Sequence, residues 1–333
     1  MTYPFVAIVG QEEMRLALIL SVIDRSVGGV LVFGHRGTGK STAVRGLAEL
    51  LPRQRVTAGC PYGCDPATPC EDCRHAGRRR AAQRAVPVVD LPLGATEDRV
   101  TGALDIERAL AEGIKAFEPG ILARANRGFL YVDEVNLLED YLVDLLLDVA
   151  ASGINVVERE GLSVRHPASF VLVGSGNPEE GDLRPQLLDR FGLAATIATV
   201  TDVDQRVEIV LRRQAYDRDP QAFQARWASQ HEALRRKIRR AQQLQPEIEL
   251  PGDVLRRIAQ LCADLEADGH RGELAICRAA SALAALRARP AVSLAEVRDV
   301  AAMALRHRLA RDPLDRADPA PRIELALQRV LAA

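Results

Sequence analysis

Hydrophobic residues in the first 200 positions fall into short apolar runs, and the stretches between these runs have helical spacing. Runs of this kind are typical of strands that are buried on both faces of a parallel sheet. The predicted strands are residues 29–33, 86–91, 129–132, 170–173 and 195–200. Polar and apolar residues alternate between Asn155 and Arg165, around Glu160 and Gly161, which predicts an additional β-hairpin just before the fourth strand. The pattern therefore predicts an α/β layer with a five-stranded parallel sheet and helices on both faces.

After about residue 203 the pattern changes to a helical periodicity that is rich in arginine and alanine. The predicted helical stretches are 206–245, 253–267, 272–289 and 294–311, with breaks at Pro246 and Pro251. Ser293 followed by Glu296 indicates a helix N-cap with a reciprocal capping glutamate. We therefore expect an α/β domain over 1–203 with inserted hairpins and a cysteine-rich loop at 60–73, a long helical connector over 204–245, and an all-helical C-terminal domain over 246–333.

The first predicted strand leads into a glycine-rich loop and then into a stretch that favours a helix. The loop consists of Gly34, His35, Arg36, Gly37, Thr38, Gly39, Lys40 and Ser41, and Thr42 follows it. Glycines let backbone N–H groups converge on phosphate oxygens, Lys40 can neutralise phosphate charge, and the Ser41 hydroxyl can ligate Mg²⁺. The strand before and the helix after are the context that this motif requires. The pattern predicts a phosphate-binding loop, and a glycine-rich loop without nucleotide is the alternative.

The third predicted strand ends in two carboxylates, Asp133 and Glu134. Asp133 would hold Mg²⁺ directly or through water, and Glu134 would polarise the water that attacks the γ-phosphorus. Acidic pairs at strand ends also occur as helix caps or solvated turns. Because the phosphate-binding loop lies upstream in the same α/β layer, the combination favours hydrolysis.

Three more residues are candidates to complete such a site. Asn177 follows the fourth strand and could hydrogen-bond the γ-phosphate or the attacking water, although an Asn-Pro turn is the alternative. Arg190, with Arg184 in reserve, is a candidate for an arginine that a neighbouring subunit presents to the phosphoryl group, and a surface ion pair is the alternative. Arg271 opens a helix of the second part, from where it could reach back over the phosphates.

Four of the six cysteines lie within fourteen residues, in a loop rich in proline, glycine and aspartate. They are Cys60, Cys64, Cys70 and Cys73, called the cysteine cluster below. Four thiolates this close could bind Zn²⁺ or an iron–sulfur cluster. A redox-responsive disulfide pair and unligated thiols are the alternatives, and a structural disulfide is disfavoured in a reducing cytosol. Cys262 and Cys277 lie in helical patterns, where small buried hydrophobic residues are the default interpretation.

Charge and composition limit the partners of the chain. Lys and Arg number 44 against 45 Asp and Glu, and the net charge of −1 gives no general attraction to nucleic acid or to a membrane surface. The basic segment 235–240 lacks aromatic residues for base stacking, so a solvated helix face is favoured there over nucleic-acid binding. The N-terminus does not match a signal peptide, and no apolar run is long enough to span a bilayer. We therefore expect a cytoplasmic protein.

The motifs follow the order of an AAA+ module, and the chain resembles the AAA+ ATPase subunit I of magnesium chelatase over nearly its whole length. The stretches that carry the resemblance beyond general AAA+ motifs are 5–11, 93–102, 117–120, 130–138, 183–192 and 271–274. The chain departs from that family in the cysteine cluster, where one or two cysteines are expected. It contains no D-x-S-x-S metal-adhesion pattern, which argues against the integrin-bearing partner subunit.

The resemblance implies a hexameric ring that uses ATP and Mg²⁺, docks with an AAA+-like subunit carrying an integrin-type domain, and remodels a large porphyrin-binding subunit. There Mg²⁺ enters protoporphyrin IX on the way to (bacterio)chlorophyll. The resemblance assigns Lys40 and Ser41 to the phosphates and Mg²⁺, Asp133 and Glu134 to the hydrolytic centre, Asn177 to sensor 1, Arg190 to the arginine finger in trans, and Arg271 to sensor 2. The alternatives are the AAA+ subunit of a cobalt chelatase, a MoxR-like cofactor-insertion ATPase, and a nucleotide-gated scaffold without turnover.

Overall fold

The computed structural model of the chain describes residues 1–35, 37–77, 80–105, 111, 116–159, 162–177, 183–309 and 319–332. Its strands are β1 (Val30–Gly34), β2 (Gln54–Thr57), β3 (Ala81–Arg84), β4 (Val88–Leu91), β5 (Gly102–Leu104), β6 (Phe117–Pro119), β7 (Phe129–Val132), β8 (Ile154–Arg159), β9 (Leu162–Pro167), β10 (Val171–Gly176) and β11 (Leu193–Ile197).

The helices of the first part are α1 (Glu12–Ile23), α2 (Lys40–Leu50), α3 (Glu71–His75), α4 (Glu97–Thr101), α5 (Ile121–Ala125), α6 (Asp140–Ser152) and α7 (Pro185–Leu188). Those of the second part are α8 (Val203–Arg218), α9 (Pro220–Leu244), α10 (Gly252–Asp264), α11 (Arg271–Leu286), α12 (Leu294–Leu305) and α13 (Ala320–Ala332).

Five parallel strands form the central sheet in the order β11-β1-β10-β7-β4. All five predicted strands are present, so the predicted α/β class is confirmed. The fourth strand runs three residues beyond its predicted end at Val173, to Gly176, and the fifth ends at Ile197 instead of residue 200. These ends matter for the site because polar side chains follow the carboxyl ends of β1, β7 and β10.

Helices cover both faces of the sheet. Because successive residues of a strand point to opposite faces, neighbouring residues of β1 belong to different buried clusters. Val30 and Val32 of β1 lie in one buried cluster together with Leu18 of α1, whereas Leu31 lies in a second cluster with Leu146 of α6. The strands are therefore apolar throughout, as expected for a parallel sheet between two layers of helices.

The C-terminal helices pack on the α1 side of the sheet. The buried cluster that contains Leu18 continues into Ile276 and Leu283 of α11 and Val300 of α12. Helix α1 contacts both β11 and α11, and α12 packs directly on β11. Cys262 is buried in this cluster and Cys277 is half-buried at its margin. The predicted capping box of Ser293 and Glu296 is present at the start of α12.

The helical connector predicted over 204–245 consists of two helices, α8 and α9, which a break separates. The Asp219 carboxylate accepts hydrogen bonds from the backbone N–H groups of Gln221 and Ala222, and Pro220 occupies the first helical position. Proline is favoured there because it has no N–H to lose, and it ends the preceding helix. The division of the chain into 1–203, 204–245 and 246–333 stays a prediction.

The described part of the chain contains three two-stranded antiparallel sheets outside the layer: β2–β3, β5–β6 and β8–β9. The predicted hairpin around Glu160 is present as β8–β9, with Val157 opposite Val164, and its turn at 160–161 lies outside the described residues. The β2–β3 pair flanks the cysteine cluster and was not predicted. Within the described residues, none of the helices has the length and apolar character that crossing a bilayer requires.

Candidate nucleotide-binding site

The glycine-rich loop joins β1 to the start of α2. Gly37 and Gly39 have φ values of +79° and +83°, which side chains other than glycine rarely adopt, and α2 begins at Lys40. A Cβ atom built on either glycine would meet nothing within 4 Å, so open space lies in front of the loop. This space faces a helix N-terminus, where aligned N–H groups favour anions.

Side chains of the loop are held in place by its own carbonyl groups. Lys40 is only 9% exposed, and its Nζ donates a hydrogen bond of 2.5 Å to the Gly34 carbonyl. The Thr38 hydroxyl donates to the His35 carbonyl at 2.9 Å. Ser41 and Thr42 are half-buried in the first turn of α2, and Arg36 lies outside the described residues.

The acidic pair after β7 has a defined arrangement. The hydroxyls of Ser175 and Tyr131 donate to the same oxygen of Asp133, Oδ1, at 2.5 and 3.1 Å. Burial raises the pKa of Tyr131, so this phenol stays protonated and able to donate. Glu134 has a φ of +54°, a strained conformation for a residue other than glycine, and its N–H donates to the Ser175 hydroxyl at 3.3 Å.

Sheet order brings these groups to one edge. The strands β1, β10 and β7 are parallel neighbours, and Val32 pairs with Ser175 while Val132 pairs with Gly174. Carboxyl ends of parallel strands lie at the same edge, with adjacent strands about 4.8 Å apart. Asn177 follows β10 directly and is buried. The structure therefore brings the glycine-rich loop, Asp133, Glu134 and Asn177 together, as the sequence predicted.

A cavity of about 530 Å³ adjoins the glycine-rich loop. Its lining includes apolar side chains from three segments, namely Ile8 and Val9, Ala198 and Val200, and Ile209 and Val210. Gln11 lines this cavity together with the loop, and its Nε2 donates to the Thr38 carbonyl at 2.5 Å. Its Oε1 is buried and has no hydrogen-bond partner within the described part of the chain. Apolar walls with a buried free acceptor suit a flat heterocycle that carries an amino group, so the residues present fit MgATP.

The sequence did not single out this cavity, because its walls come from segments almost 200 residues apart. Each of these segments alone has an ordinary apolar composition. Gln11 belongs to the N-terminal stretch that resembles the chelatase family, and its left-handed φ of +58° at the start of α1 is visible only in the structure.

Arg190 and Arg271 lie at the opposite edge of the sheet. Both line a cavity of about 310 Å³ that also includes Gly28 and Gly192, which precede β1 and β11. The length of β1 separates Gly28 from the glycine-rich loop, roughly 16 Å for five residues. The prediction that Arg271 reaches back over the phosphates stays a prediction, and in the structure Arg271 lies beside Arg190, away from the glycine-rich loop of the same chain.

Carboxylates of the same chain hold these arginines. Arg190 forms ion pairs with Asp144 and Asp148 of α6 at 3.0 and 2.9 Å, and Arg271 pairs with Asp189 at 2.5 Å. Arg184, the reserve candidate, is largely exposed and pairs with Asp140 at 2.6 Å. Exposed ion pairs of this kind contribute little stability and separate readily, so these guanidinium groups can change partners.

A buried arginine that the sequence did not indicate supports this edge. Arg308, whose side chain is 3% exposed, donates to the carbonyls of Asp189, Phe191 and Gly192 at 3.0, 2.5 and 3.1 Å. Burial lowers the pKa of Arg308 to about 10, and the Asp189 carboxylate opposes this shift, so the guanidinium is charged at neutral pH. Arg308 thus fixes the backbone on both sides of Arg190.

The structure also brings the cysteine cluster together. All four Sγ atoms lie within 4.8 Å of one another, between β2 and β3 and away from the glycine-rich loop.

The structure combines a phosphate-binding loop, an acidic pair two strands away, a polar residue after the strand between them and a helical second part. These features define a P-loop ATPase of the AAA+ class. The AAA lid domain model matches residues 255–325, and this class uses ATP and Mg²⁺. Within the class, the chain belongs to the family of the magnesium chelatase subunit ChlI, whose model matches residues 105–194.

The chain is similar to curated magnesium-chelatase subunits over almost its full length. The chain is 60% identical to the magnesium-chelatase 38 kDa subunit of Acidiphilium rubrum, over 98% of this chain and 96% of that protein. It is 58% identical to the subunit of the same name from Cereibacter sphaeroides, over 99% and 98%. It is 53% identical to the magnesium-chelatase subunit ChlI of a Nostoc species, over 98% and 90%. The resemblance found in the sequence is confirmed.

Solved structures agree with the fold. A chain from a complex between the subunits BchI and BchD of magnesium chelatase, based on a cryo-EM reconstruction, is 54% identical, with 98% of this chain and 99% of that chain covered and a TM-score of 0.55. A putative ATPase from Cytophaga hutchinsonii is 15% identical, with 97% and 91% covered and a TM-score of 0.67, and supports the fold alone.

Proposed function

We propose that this chain is the ATP-hydrolysing subunit of a magnesium chelatase, in which hydrolysis drives the insertion of Mg²⁺ into protoporphyrin IX. The observation that carries the proposal is the grouping of Lys40, Asp133, Glu134 and Asn177 at the carboxyl edge of three neighbouring strands, in a chain 52% to 60% identical to magnesium chelatase subunits.

Each group at the carboxyl edge has a role that its position supports. Backbone N–H groups of the glycine-rich loop and the Lys40 ammonium bind the phosphates. Ser41 and Asp133 hold the Mg²⁺ of MgATP, which neutralises phosphate charge when bound. Asp133 offers Oδ2 for this purpose, because Ser175 and Tyr131 both donate to Oδ1. Glu134 orients and deprotonates the attacking water, and Asn177 positions it.

Each nucleotide site is completed by a second copy of the chain. Arg190 and Arg271 share a cavity at the edge away from their own phosphate-binding loop, which supports a role for both at the nucleotide of a neighbour. An arginine that stabilises charge on the transferred phosphoryl group contributes about 10³–10⁵ in rate. Such head-to-tail contacts close into a ring, and we propose the hexamer that the family resemblance implies.

We propose further that the ring binds a BchD-like subunit and acts on a large porphyrin-binding subunit. The BchI chain that resembles this one was solved in a complex with BchD. Porphyrin chemistry would then take place on the large subunit, and this chain would supply movement. A cobalt chelatase subunit remains the alternative function, and no observation on the structure favours it.

Mixing two inactive variants tests the shared site. Glu134→Gln should retain MgATP binding and lose turnover, and Arg190→Ala should lose turnover by at least about 10³-fold with near-normal binding. In an equal mixture, about a quarter of random interfaces pair an intact Glu134 with an intact Arg190, so part of the ATPase activity should return. Arg256→Ala, at an exposed arginine of α10, is the control and should behave as wild type. Absence of recovery at every ratio would contradict the shared site.

A second mixture decides on which chain Arg271 acts. If Arg190 and Arg271 both serve the neighbour, a mixture of Arg190→Ala with Arg271→Ala contains no interface with both arginines and stays inactive. If Arg271 serves its own nucleotide, the same mixture forms competent interfaces and regains activity. We expect no recovery in this mixture but recovery when Arg271→Ala is mixed with Glu134→Gln.

A further inference from the structure

The cysteine cluster lies in a loop that contains little regular secondary structure. Cys60 and Cys64 flank a tight turn after β2, in which Gly63 has a φ of +57°. Cys70 and Cys73 lie at the start of α3, a helix of only five residues. The loop is closed by β2 and β3, which have four residues each. A two-stranded sheet of this size is marginal in water without a further constraint.

The spacing of the sulfur atoms fits one metal ion. The Sγ atoms of Cys60 and Cys70 are 3.7 Å apart, and those of Cys64 and Cys73 are also 3.7 Å apart. A tetrahedral zinc site with Zn–S bonds of about 2.3 Å has sulfur atoms about 3.8 Å apart along each edge. A disulfide requires about 2.05 Å. Because iron–sulfur clusters place thiolates on different iron atoms, they also spread the sulfur atoms more widely than a single ion does.

We propose that the cysteine cluster binds a single structural Zn²⁺ through four thiolates. On binding, the four thiols release four protons to solvent and form four Zn–S bonds, with no change of oxidation state. Four protein sulfur ligands fill the tetrahedron, so this is a closed structural site and leaves no position for a substrate. The proposal does not rest on the proposed ATPase function, and this zinc is distinct from the Mg²⁺ of MgATP.

Burial and charge around the cluster agree with this assignment. Cys64 and Cys73 are 3% and 1% exposed, whereas Cys60 and Cys70 are half-buried and leave a path for the ion. The Cys64 N–H points to Cys60 Sγ at 3.5 Å, the kind of contact that orients thiolate ligands. The site would carry a net charge of −2, and the guanidinium of Arg127 lies nearby, bonded to the Asp65 carboxylate at 3.0 Å and the Gly63 carbonyl at 3.5 Å.

Tyr62 connects the proposed zinc site to the rest of the chain. It lies between two of the ligands, and its hydroxyl donates to Asp72 at 2.9 Å. Its ring stacks on His166 of β9 with a centroid distance of 4.7 Å and an interplanar angle of 4°. Its carbonyl accepts from Asn126, the residue that follows α5, at 2.8 Å. The zinc would therefore fix one side of the β8–β9 hairpin.

Metal analysis of the full chain, purified anaerobically, tests the site. Elemental mass spectrometry should find about one Zn per wild-type chain and less than about 0.1 Zn per chain in Cys73→Ser. Cys277→Ser is the matched control and should retain its zinc, because Cys277 lies in α11, outside the cluster. Cys60→Ser, at a half-buried ligand, provides a second variant if Cys73→Ser does not fold. Cobalt loaded into the wild-type protein should give the absorption of a tetrahedral tetrathiolate.

Other outcomes would overturn the proposal. The proposal is wrong if the wild-type chain contains less than about 0.1 Zn, or if iron is the main metal. It is also wrong if disulfides link cysteines of the cluster in protein that was purified without exposure to an oxidant. Hydrogen exchange tests the structural consequence. Removal of zinc by a chelator should raise exchange in β8 and β9 but leave that of α10 unchanged. Equal exchange in the hairpin with and without zinc would refute the link through Tyr62.

Discussion

Arg308→Met should destabilise the fold and impair hydrolysis, because Arg308 holds the segment that carries Arg190. Its guanidinium donates to three carbonyls of this segment, at Asp189, Phe191 and Gly192, and lies 3.3 Å from the Asp189 carboxylate. Methionine is flexible and of similar length, so it fills much of the space and limits the cavity contribution. The expected loss therefore comes mainly from polar groups that lose their donor.

The magnitude follows from these contacts. Removal of one partner from a buried ion pair costs about 3–5 kcal/mol, and each buried carbonyl without a donor costs about 1 kcal/mol or more. Two remaining contacts reduce this loss of unfolding free energy. His307 Nε2 still lies 2.9 Å from the Phe191 carbonyl, and Arg271 still pairs with Asp189. We therefore expect the free energy of unfolding to fall by about 3 kcal/mol, the lower end of the range.

Urea unfolding followed by far-ultraviolet circular dichroism measures this loss. Arg322→Met is the matched control, because Arg322 is half-exposed and 3.8 Å from an exposed Glu266 carboxylate, and it should lose less than about 0.5 kcal/mol. Turnover by Arg308→Met should fall while MgATP binding is retained, since the glycine-rich loop lies at the other edge of the sheet. A loss below about 1 kcal/mol, or turnover equal to wild type, would refute the reasoning.

Three further predictions concern the loop, the acidic pair and the base of the cysteine loop. Gly39→Ala should weaken MgATP binding about tenfold in an equilibrium titration, because a φ of +83° costs an alanine about 1–2 kcal/mol. Gly252→Ala is the control and should bind normally, because Gly252 has an ordinary φ. Asp133→Asn should raise the Mg²⁺ concentration for half-maximal ATPase activity, because one anionic ligand becomes neutral; an unchanged Mg²⁺ dependence would remove Asp133 from that role. Asn126→Leu should lower the free energy of unfolding, measured in urea, by about 2–3 kcal/mol. The Asn126 side chain is 2% exposed; its amide donates to the Tyr62 carbonyl at 2.8 Å and accepts from the Ser169 N–H at 2.9 Å. A loss below about 1 kcal/mol would contradict this reasoning.

The central sheet and the motifs at its carboxyl edge could be predicted because the signals are local. A strand buried on both faces is an unbroken apolar run, and residues such as Asp133 and Asn177 come directly after such runs. The order of the strands in the sheet was not predicted and comes from the structure. The break at Asp219 and Pro220 also left a local signal, an N-cap residue before a proline, but the continuous helical periodicity on both sides obscured it.

The remaining features depend on proximity between distant residues, which a single sequence does not reveal. The contact of Arg308 with Asp189 spans 119 residues, and nothing in the composition around Arg308 marks it as buried. The position of Arg271 depends on how the C-terminal helices pack on α1, so its edge of the sheet could not be derived from its place in the chain. The cysteine cluster was visible as spacing, but the 3.7 Å separations that favour one ion come from the fold of the loop.

The segment that carries Arg190 is attached to the helical part of its own chain. Asp189 and Phe191 flank Arg190, and the residues that hold them, Arg271 and Arg308, begin α11 and follow α12. Movement of Arg190 toward the phosphates of a neighbour would therefore break its ion pairs with α6 and, through the backbone, disturb contacts with the helical part of the same chain. That part shares a continuous core with α1, which begins beside Gln11 and hence beside the phosphate-binding loop. In the proposed ring, hydrolysis at one interface would thus act on the helices of the chain that donates the arginines as well as on those of the chain that binds the ATP.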